Sequence, residues 1–133
     1  MATAAALAAP VAALLIGMGD AAAAEPSGHE LFLEYCASCH GSDAKGGGPM
    51  ASELKQAPAD LTRLGERFGS PLAKAKLVAV IDGRDMVRSH GSSAMPVWGK
   101  RLLRDVPPGA GTEVHKRGSI QAIVDWLDTV QGR

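Results

Sequence analysis

The apolar residues near the carboxyl terminus follow a helical period. Ile120, Ile123, Val124, Leu127 and Val130 are three or four positions apart. This spacing is typical of one apolar face on an amphipathic helix. We therefore predict a long final helix, which buries this face against the rest of the chain.

Start and stop signals mark three further helices. Ser27 and Glu30 have the spacing of a capping box, which predicts a helix from about Gly28 to Ala37. Asp60-Leu61-Thr62 opens a short helical piece that reaches about Arg67. Ser70-Pro71 is a strong start signal for another helix, with proline at the first helical position, and Gly83 can end it in the left-handed conformation.

Long stretches between these helices lack any sustained period. The segments 41–59 and 84–99 are rich in turn-forming residues and are predicted to be loops. No stretch alternates well enough to indicate a strand. We predict an all-α fold with about four short helices and long loops. Loops of this length in a small chain are typical of a fold that wraps a ligand.

The first 24 residues differ in composition from all that follows. They are almost wholly small or apolar, without charge before Asp20, and end in Ala22-Ala23-Ala24. This pattern predicts a secretory signal peptide over 1–24, cleaved after Ala24. A retained membrane anchor is the weaker interpretation, because Pro10 and Gly17 interrupt the apolar stretch before it reaches about 20 residues. We expect residues 25–133 to form one exported domain without membrane insertion.

Charge and aromatic content restrict what this domain does. The chain has 14 basic and 14 acidic residues, and removal of 1–24 takes away one acid, which leaves 14 against 13. So balanced a surface gives no electrostatic reason to bind nucleic acid. Two Phe, two Trp and one Tyr are few for the core of such a domain. An apolar group from outside the polypeptide would complete the interior.

The two cysteines stand in one short motif, Cys36-Ala37-Ser38-Cys39-His40. C-x-x-C-H is typical of covalent haem attachment, in which Cys36 and Cys39 form thioethers and His40 binds the iron. A redox dithiol would stand in a βαβ unit, for which there is no signal. A zinc site needs four ligands, and no second cysteine pair exists. A simple disulfide would leave His40 without a role.

The second iron ligand must come from elsewhere in the chain. His29 and His115 are poorly placed, and Met50 and Met86 are more often core residues. Met95 precedes Pro96, which favours an extended backbone able to hold the sulfur over the iron. We favour Met95, with His90 as its main rival.

The order of the motifs resembles the class I cytochromes c, and in particular a bacterial, periplasmic, monohaem branch of that family. The resemblance rests on the motif at 36–40, Gly48-Pro49, the segments 57–62, 81–84 and 90–91, and Met95-Pro96-Val97-Trp98-Gly99 before a final helix. It covers nearly all of residues 25–133. It implies one covalently bound haem c per chain, with His40 and Met95 as axial iron ligands.

The resemblance also implies roles for residues around the haem. Pro49 matches the proline whose carbonyl accepts a hydrogen bond from the axial histidine. Gly28 and Phe32 match the crossing of the first and last helices, with Trp126 or Leu127 opposite. Contacts to the haem propionates could come from Arg84, Arg88 and Trp98.

An iron with two protein ligands has no open position for substrate, which favours electron transfer. We expect a one-electron carrier that exchanges electrons with redox protein partners in a periplasmic respiratory or dehydrogenase-linked chain. The alternative is a cytochrome c subunit attached permanently to a larger oxidoreductase or terminal oxidase, so the protein is expected as a monomer or such a subunit. A haem enzyme or gas sensor with a vacant iron site is disfavoured. The bundle cytochromes of this kind have C-x-x-C-H near the carboxyl terminus, whereas here the motif lies near the predicted mature amino terminus.

Overall fold

The computed structural model describes residues 25–85, 98–102, 107–109 and 111–132. These residues form six α-helices and two short 3-10 helices, without a β-strand. The α-helices are α1 Gly28–Tyr35, α2 Ala37–His40, α3 Leu64–Phe68, α4 Lys74–Ile81, α5 Trp98–Arg101 and α6 Thr112–Thr129. The 3-10 helices are Ala51–Glu53 and Leu61–Arg63. The predicted all-α fold is confirmed.

Helix α1 begins at the predicted capping box. The Ser27 hydroxyl accepts a hydrogen bond from the Glu30 amide at 3.2 Å, and the Glu30 carboxylate accepts one from the Ser27 amide at 2.7 Å. The helix ends at Tyr35, two residues earlier than predicted, because Cys36 has φ −117° and interrupts it. The chain then continues as α2, so Cys36 stands at the helix break and Cys39 lies within the second helix.

Asp60 caps the short helical piece that its position predicts. Its side chain accepts from the Thr62 amide at 2.8 Å and from the Thr62 hydroxyl at 2.6 Å. A 3-10 turn leads from there into α3, which ends at Phe68. This prediction is confirmed to within one residue.

The predicted start of α4 is wrong. Ser70-Pro71 lies in a turn, and the helix begins at Lys74 with Ala73 as its N-cap. The Lys74 amide donates to the Leu72 carbonyl at 2.8 Å and closes a tight turn. The helical hydrogen bonds begin only after this turn. The predicted end is confirmed, since Gly83 follows the helix with φ +76°.

Helix α6 begins at Thr112, eight residues before its first buried isoleucine, and packs mainly on α1. Four of the five residues of its predicted apolar face are buried, namely Ile120, Ile123, Val124 and Leu127. Val130 follows the last helical residue and is half-buried. Phe32 of α1 is fully buried against this face, with its ring 4.5 Å from that of Trp126. A Cβ atom on Gly28 would overlap the Ala122 carbonyl, so glycine permits the close crossing. The crossing of first and last helices is confirmed.

Polar side chains of α6, and of Gln131 just after its end, contact α3, α4 and the 3-10 helix before α3. Lys74 at the start of α4 contacts Asp125 at 3.0 Å and Asp128 at 2.8 Å. The Gln131 side chain accepts from the Gly65 amide and donates to the Leu61 carbonyl. These contacts hold α3 and α4 beside α6.

Several sequence predictions concern the segment 86–97, which lies outside the described residues. They include the predictions for Met86, Arg88, His90, Met95 and Pro96. Helix α5 begins at Trp98, within the stretch predicted as loop up to Gly99. In the ranges that are described, no helix has both the length and the hydrophobicity that a bilayer span requires.

Candidate functional site

Hydrogen bonds hold the backbone of the cysteine motif on both sides. On the amino-terminal side the Cys36 amide donates to the Phe32 carbonyl at 2.8 Å, which ties the motif to α1. On the other side the loop after α2 donates three amides to the carbonyls at its end. They are Met50 to Ser38 at 2.8 Å, Gly48 to Cys39 at 3.0 Å and Gly46 to His40 at 2.7 Å. The loop thus satisfies carbonyls that a helix end leaves without partners.

Gly48 has a steric role in this arrangement. A Cβ atom at this position would lie 2.5 Å from the Ser38 carbonyl oxygen and 2.6 Å from that of Ala37. The loop backbone therefore approaches the motif more closely than any side chain would allow. Gly48 is the residue of the Gly48-Pro49 pair for which the structure gives a direct physical reason.

The two thiols are free and partly buried. Burial, and to a smaller extent the neighbouring Cys39, raises the pKa of the Cys36 thiol to about 12. A thiol with this pKa stays protonated at neutral pH, whereas redox dithiols depend on a lowered pKa. Together with the lack of strands in the described ranges, this argues against a thioredoxin-like site.

His40 is buried, with 8% of its surface exposed. Its Nδ1 lies 3.0 Å from the carbonyl oxygen of Ala59. An Nδ1–H that donates to this carbonyl orients the ring and makes Nε2 the ring nitrogen that can bind a metal. The resemblance assigns the carbonyl to Pro49, while this structure gives Nδ1 the Ala59 carbonyl. The role of Pro49 stays a prediction.

Cys36, Cys39 and His40 line one cavity of about 410 Å³, a size typical of cofactor pockets. Most of its other walls are apolar and come from every long element of the fold. They include Phe32, Leu54, Leu61, Leu64, Phe68, Leu77, Val80, Ile81, Trp98, Ile123 and Leu127. The residues that could hold a large apolar group therefore surround the thiols and the imidazole.

The charged and amide side chains on the cavity wall come from one segment, 56–67. Arg63 contacts Glu66 at 2.7 Å, and both side chains are largely exposed. The Thr62 hydroxyl, which donates to Asp60, lowers the pKa of that carboxyl. Arg67 lines the cavity and has no ion-pair partner among the described residues. One edge of an otherwise apolar cavity is therefore polar and carries a cation that forms no ion pair with another described residue.

The three residues predicted to contact the haem propionates have different outcomes in the structure. Trp98 lines the cavity, as expected of a residue near the cofactor. Arg84 does not line it and instead contacts Asp82 at 2.6 Å. Arg88 lies outside the described residues. Neither Arg67 nor the Ala59 carbonyl was predicted to be part of the site. Ala59 lies in the segment 57–62 that carries the resemblance, and Arg67 follows that segment. Only the fold shows that both line the cavity.

None of the described alternatives for the second ligand lines this cavity. Met50 is 48% exposed, His29 stacks on Trp126, and His115 lies 3.9 Å from Glu25. The other candidates, Met86, His90 and Met95, all belong to the segment 86–97. Across the part of the chain that is described, no three His, Cys, Asp or Glu side chains converge on a common metal position. The zinc interpretation thus gains no support.

This donor set fits a covalently attached haem. Two thiols three residues apart suit thioether bonds, and a buried imidazole beside them suits one axial iron position. Apolar walls suit the macrocycle, and the polar edge suits its carboxylates. The same residues do not suit a hydrophilic ligand, because most of the cavity wall offers it no hydrogen bonds.

Comparison with known families agrees with this description. The model of the family described as cytochrome c oxidase, cbb3-type, subunit III matches residues 23–107. Searches of curated proteins and of solved structures found no match. The family is one of c-type cytochrome domains, which bind haem and transfer electrons. Since the match spans well over half of the chain, the protein belongs to this family and is a class I c-type cytochrome.

Proposed function

We propose that this protein is a one-electron carrier with one covalently attached haem c. Cys36 and Cys39 form the thioethers, and His40 and Met95 are the axial iron ligands. The observation that carries the proposal is that both thiols and the His40 imidazole line a single apolar cavity. The membership in a family of c-type cytochromes supports it independently.

When bound, the haem iron supplies the chemistry, because it gains or loses one electron without a change of ligands. The residues of the chain set the conditions for this exchange. The Ala59 carbonyl orients the His40 ring through Nδ1, and the apolar wall keeps water away from the site. Arg67, at the polar edge, offers a cation for the carboxylates of the cofactor.

Met95 is proposed as the second ligand on three grounds. The described methionine and histidines other than His40 lie away from the cavity, which points to the segment 86–97. Within this segment Met95 is followed by Pro96, whose ring favours an extended conformation of the preceding residue. A thioether ligand also favours reduced iron and raises the potential, which suits a carrier.

Replacing Met95 tests this ligand. Met95→Ala is expected to keep the haem attached, lower the potential, and lose the far-red band that arises from sulfur-to-iron charge transfer. Met50→Ala is the control, because its exposed side chain lies outside the cavity. An absorption spectrum and a haem-stained denaturing gel of each variant provide the measurements. An unchanged far-red band in Met95→Ala would contradict the assignment, and unstained wild-type protein would contradict covalent attachment.

We further propose that residues 1–24 are a signal peptide and that the mature protein acts in the periplasm. The support comes from the uncharged apolar run and from Ala22-Ala23-Ala24 before Glu25. Amino-terminal sequencing of the protein from a periplasmic extract is expected to begin at Glu25. A chain that begins upstream of Ala24 would contradict cleavage at this site.

A permanent subunit of a larger redox complex is the second candidate. The observation that favours it is the description of the matching family, which names a subunit of an oxidase. Gel filtration of a native extract, followed by haem absorbance, separates the candidates. A free carrier elutes at the size of this chain alone, whereas a subunit elutes with a much larger complex.

A further inference from the structure

One short segment, 59–62, lies between the cysteine motif and the end of α6. Its first residue, Ala59, supplies the carbonyl oxygen that lies 3.0 Å from His40 Nδ1. Residues 57–60 belong to no helix, so helical hydrogen bonds do not fix the position of this carbonyl. Its position depends on individual contacts of the segment with the elements on either side.

On one side the segment is bound to the loop that follows α2. The Leu61 amide donates to the carbonyl of Ala44, which is fully buried, at 2.7 Å. In the same loop the Gly46 amide donates to the His40 carbonyl, also at 2.7 Å. The loop therefore connects the backbone of His40 to the segment 59–62.

On the other side the segment is bound to the end of α6. Gln131 Nε2 donates to the Leu61 carbonyl and to the Leu127 carbonyl, each at 2.8 Å. The Gly132 amide donates to the Thr62 carbonyl at 2.9 Å. Gln131 therefore joins the last turn of α6 to a residue two positions after Ala59, although it is 70 residues away from that residue in the sequence.

Asp60 adds a contact within the segment. Its carboxylate accepts from the Thr62 amide at 2.8 Å and from the Thr62 hydroxyl at 2.6 Å. Since Asp60 directly follows Ala59, this turn limits rotation of the peptide group that carries the Ala59 carbonyl.

The hydrogen bond at Nδ1 affects an iron bound to the same imidazole. A carbonyl that accepts from Nδ1–H raises the basicity of the ring as a metal ligand. A more basic ligand favours the oxidised iron, which has the higher charge, and so lowers the reduction potential. Any residue that keeps the Ala59 carbonyl on Nδ1 therefore influences the potential without contact to the cofactor.

We propose that Gln131, together with Asp60, holds the Ala59 carbonyl on His40 and thereby lowers the reduction potential. Both are positioning residues, and Gln131 does not line the cavity. The inference rests on the proposed function, since it requires a haem iron bound by His40.

Gln131→Leu tests the inference without a change of charge. In equilibrium with a mediator at a set potential, the ratio of reduced to oxidised protein should rise about threefold, or about 28 mV for one electron. Exchange of the His40 Nδ1 proton with deuterium should become about tenfold faster, because its hydrogen bond opens more often. Nuclear magnetic resonance of the reduced protein with isotope-labelled histidine measures this exchange.

Gln121→Leu is the matched control, with the same substitution on the same helix. The Gln121 side chain donates to Asp125 and has no hydrogen bond to the segment 59–62. Both quantities should keep their wild-type values in this variant. Equal effects of the two substitutions would overturn the inference. So would a lower ratio of reduced to oxidised protein in Gln131→Leu, because a general loosening that admits water favours the oxidised iron.

A second pair of variants decides the inference if Gln131→Leu does not fold. Asp60→Asn and Asp60→Ala remove the same charge, but only asparagine keeps an oxygen that accepts from Thr62. The ratio of reduced to oxidised protein should be about twofold higher in Asp60→Ala than in Asp60→Asn. Equal ratios in these two variants would contradict the positioning role.

Failure of the inference is distinguishable from failure of the proposed function. Wild-type protein without haem would refute both. Haem-stained protein in which Gln131→Leu changes neither the potential nor the proton exchange would refute the inference alone. Loss of the far-red band from the wild type would refute Met95 as a ligand, but the comparison of Gln131→Leu with Gln121→Leu would still decide the inference.

Discussion

The crossing of α1 and α6 leaves no room for a side chain at Gly28. A Cβ atom there would overlap the Ala122 carbonyl oxygen and lie 2.5 Å from the Ala122 carbonyl carbon. Ordinary contact between carbon atoms is about 3.5–4.0 Å, so Gly28→Ala must move the helices apart by about 1 Å. Both atoms belong to the backbone of α6, which cannot turn aside as a side chain would.

The cost follows from what this crossing buries. Phe32, Ile120, Ile123 and Val124 have at most 1% of their surface exposed. A gap of about 1 Å forfeits a quarter to a half of the attraction between facing atoms. Inserting a methyl group into a packed core typically costs about 1–3 kcal/mol. We expect Gly28→Ala to lower the free energy of unfolding by this amount.

Gly118→Ala is the matched control, with the same chemical change on the partner helix. Gly118 lies inside α6, and a Cβ atom there meets nothing within 4 Å. Alanine should then stabilise the protein by about 0.5–1 kcal/mol, because glycine is the poorer helix former. Denaturant unfolding of the haem-loaded proteins measures both changes. A Gly28→Ala protein as stable as the wild type would refute the close crossing.

Two further predictions concern the site itself. Gly48→Ala places a methyl group 2.5 Å from the Ser38 carbonyl oxygen and should destabilise the protein by about 1–3 kcal/mol. Gly47→Ala is the control and should not destabilise it, because a Cβ atom there meets nothing within 4 Å. Equal unfolding midpoints of the two variants would contradict the steric role of Gly48. Asp60→Ala removes an N-cap and should cost about 0.5–2 kcal/mol at pH 7. The hydrogen bonds from Thr62 lower the pKa of the Asp60 carboxyl below its ordinary 3.8. The difference in stability between wild type and Asp60→Ala should therefore persist down to about pH 4 and shrink as the pH falls further. A stability difference that does not change with pH down to about pH 2 would contradict this prediction.

The local elements were predictable because their signals are local. The capping box at Ser27 and Glu30, the helical piece that opens at Asp60 and the left-handed Gly83 act over a few residues, and all were confirmed. The start of α4 was not, because Ser70-Pro71 matches a helix start but stands in a turn. A short motif indicates which structure a segment can form. Whether the segment forms that structure depends on the conformation of the adjacent residues.

The sequence by itself determined the helical class and predicted the attachment chemistry, since the apolar period and the C-x-x-C-H motif need no tertiary information. Only the tertiary structure decided which groups share the cavity. The Ala59 carbonyl reaches His40, Arg67 faces the cavity while Arg84 turns to Asp82, and Lys116 meets Asp82 across α4 and α6. Some of these contacts join residues that are far apart in the sequence, and others depend on which way an arginine side chain points. Both are set by the packing of the helices and not by any local sequence pattern.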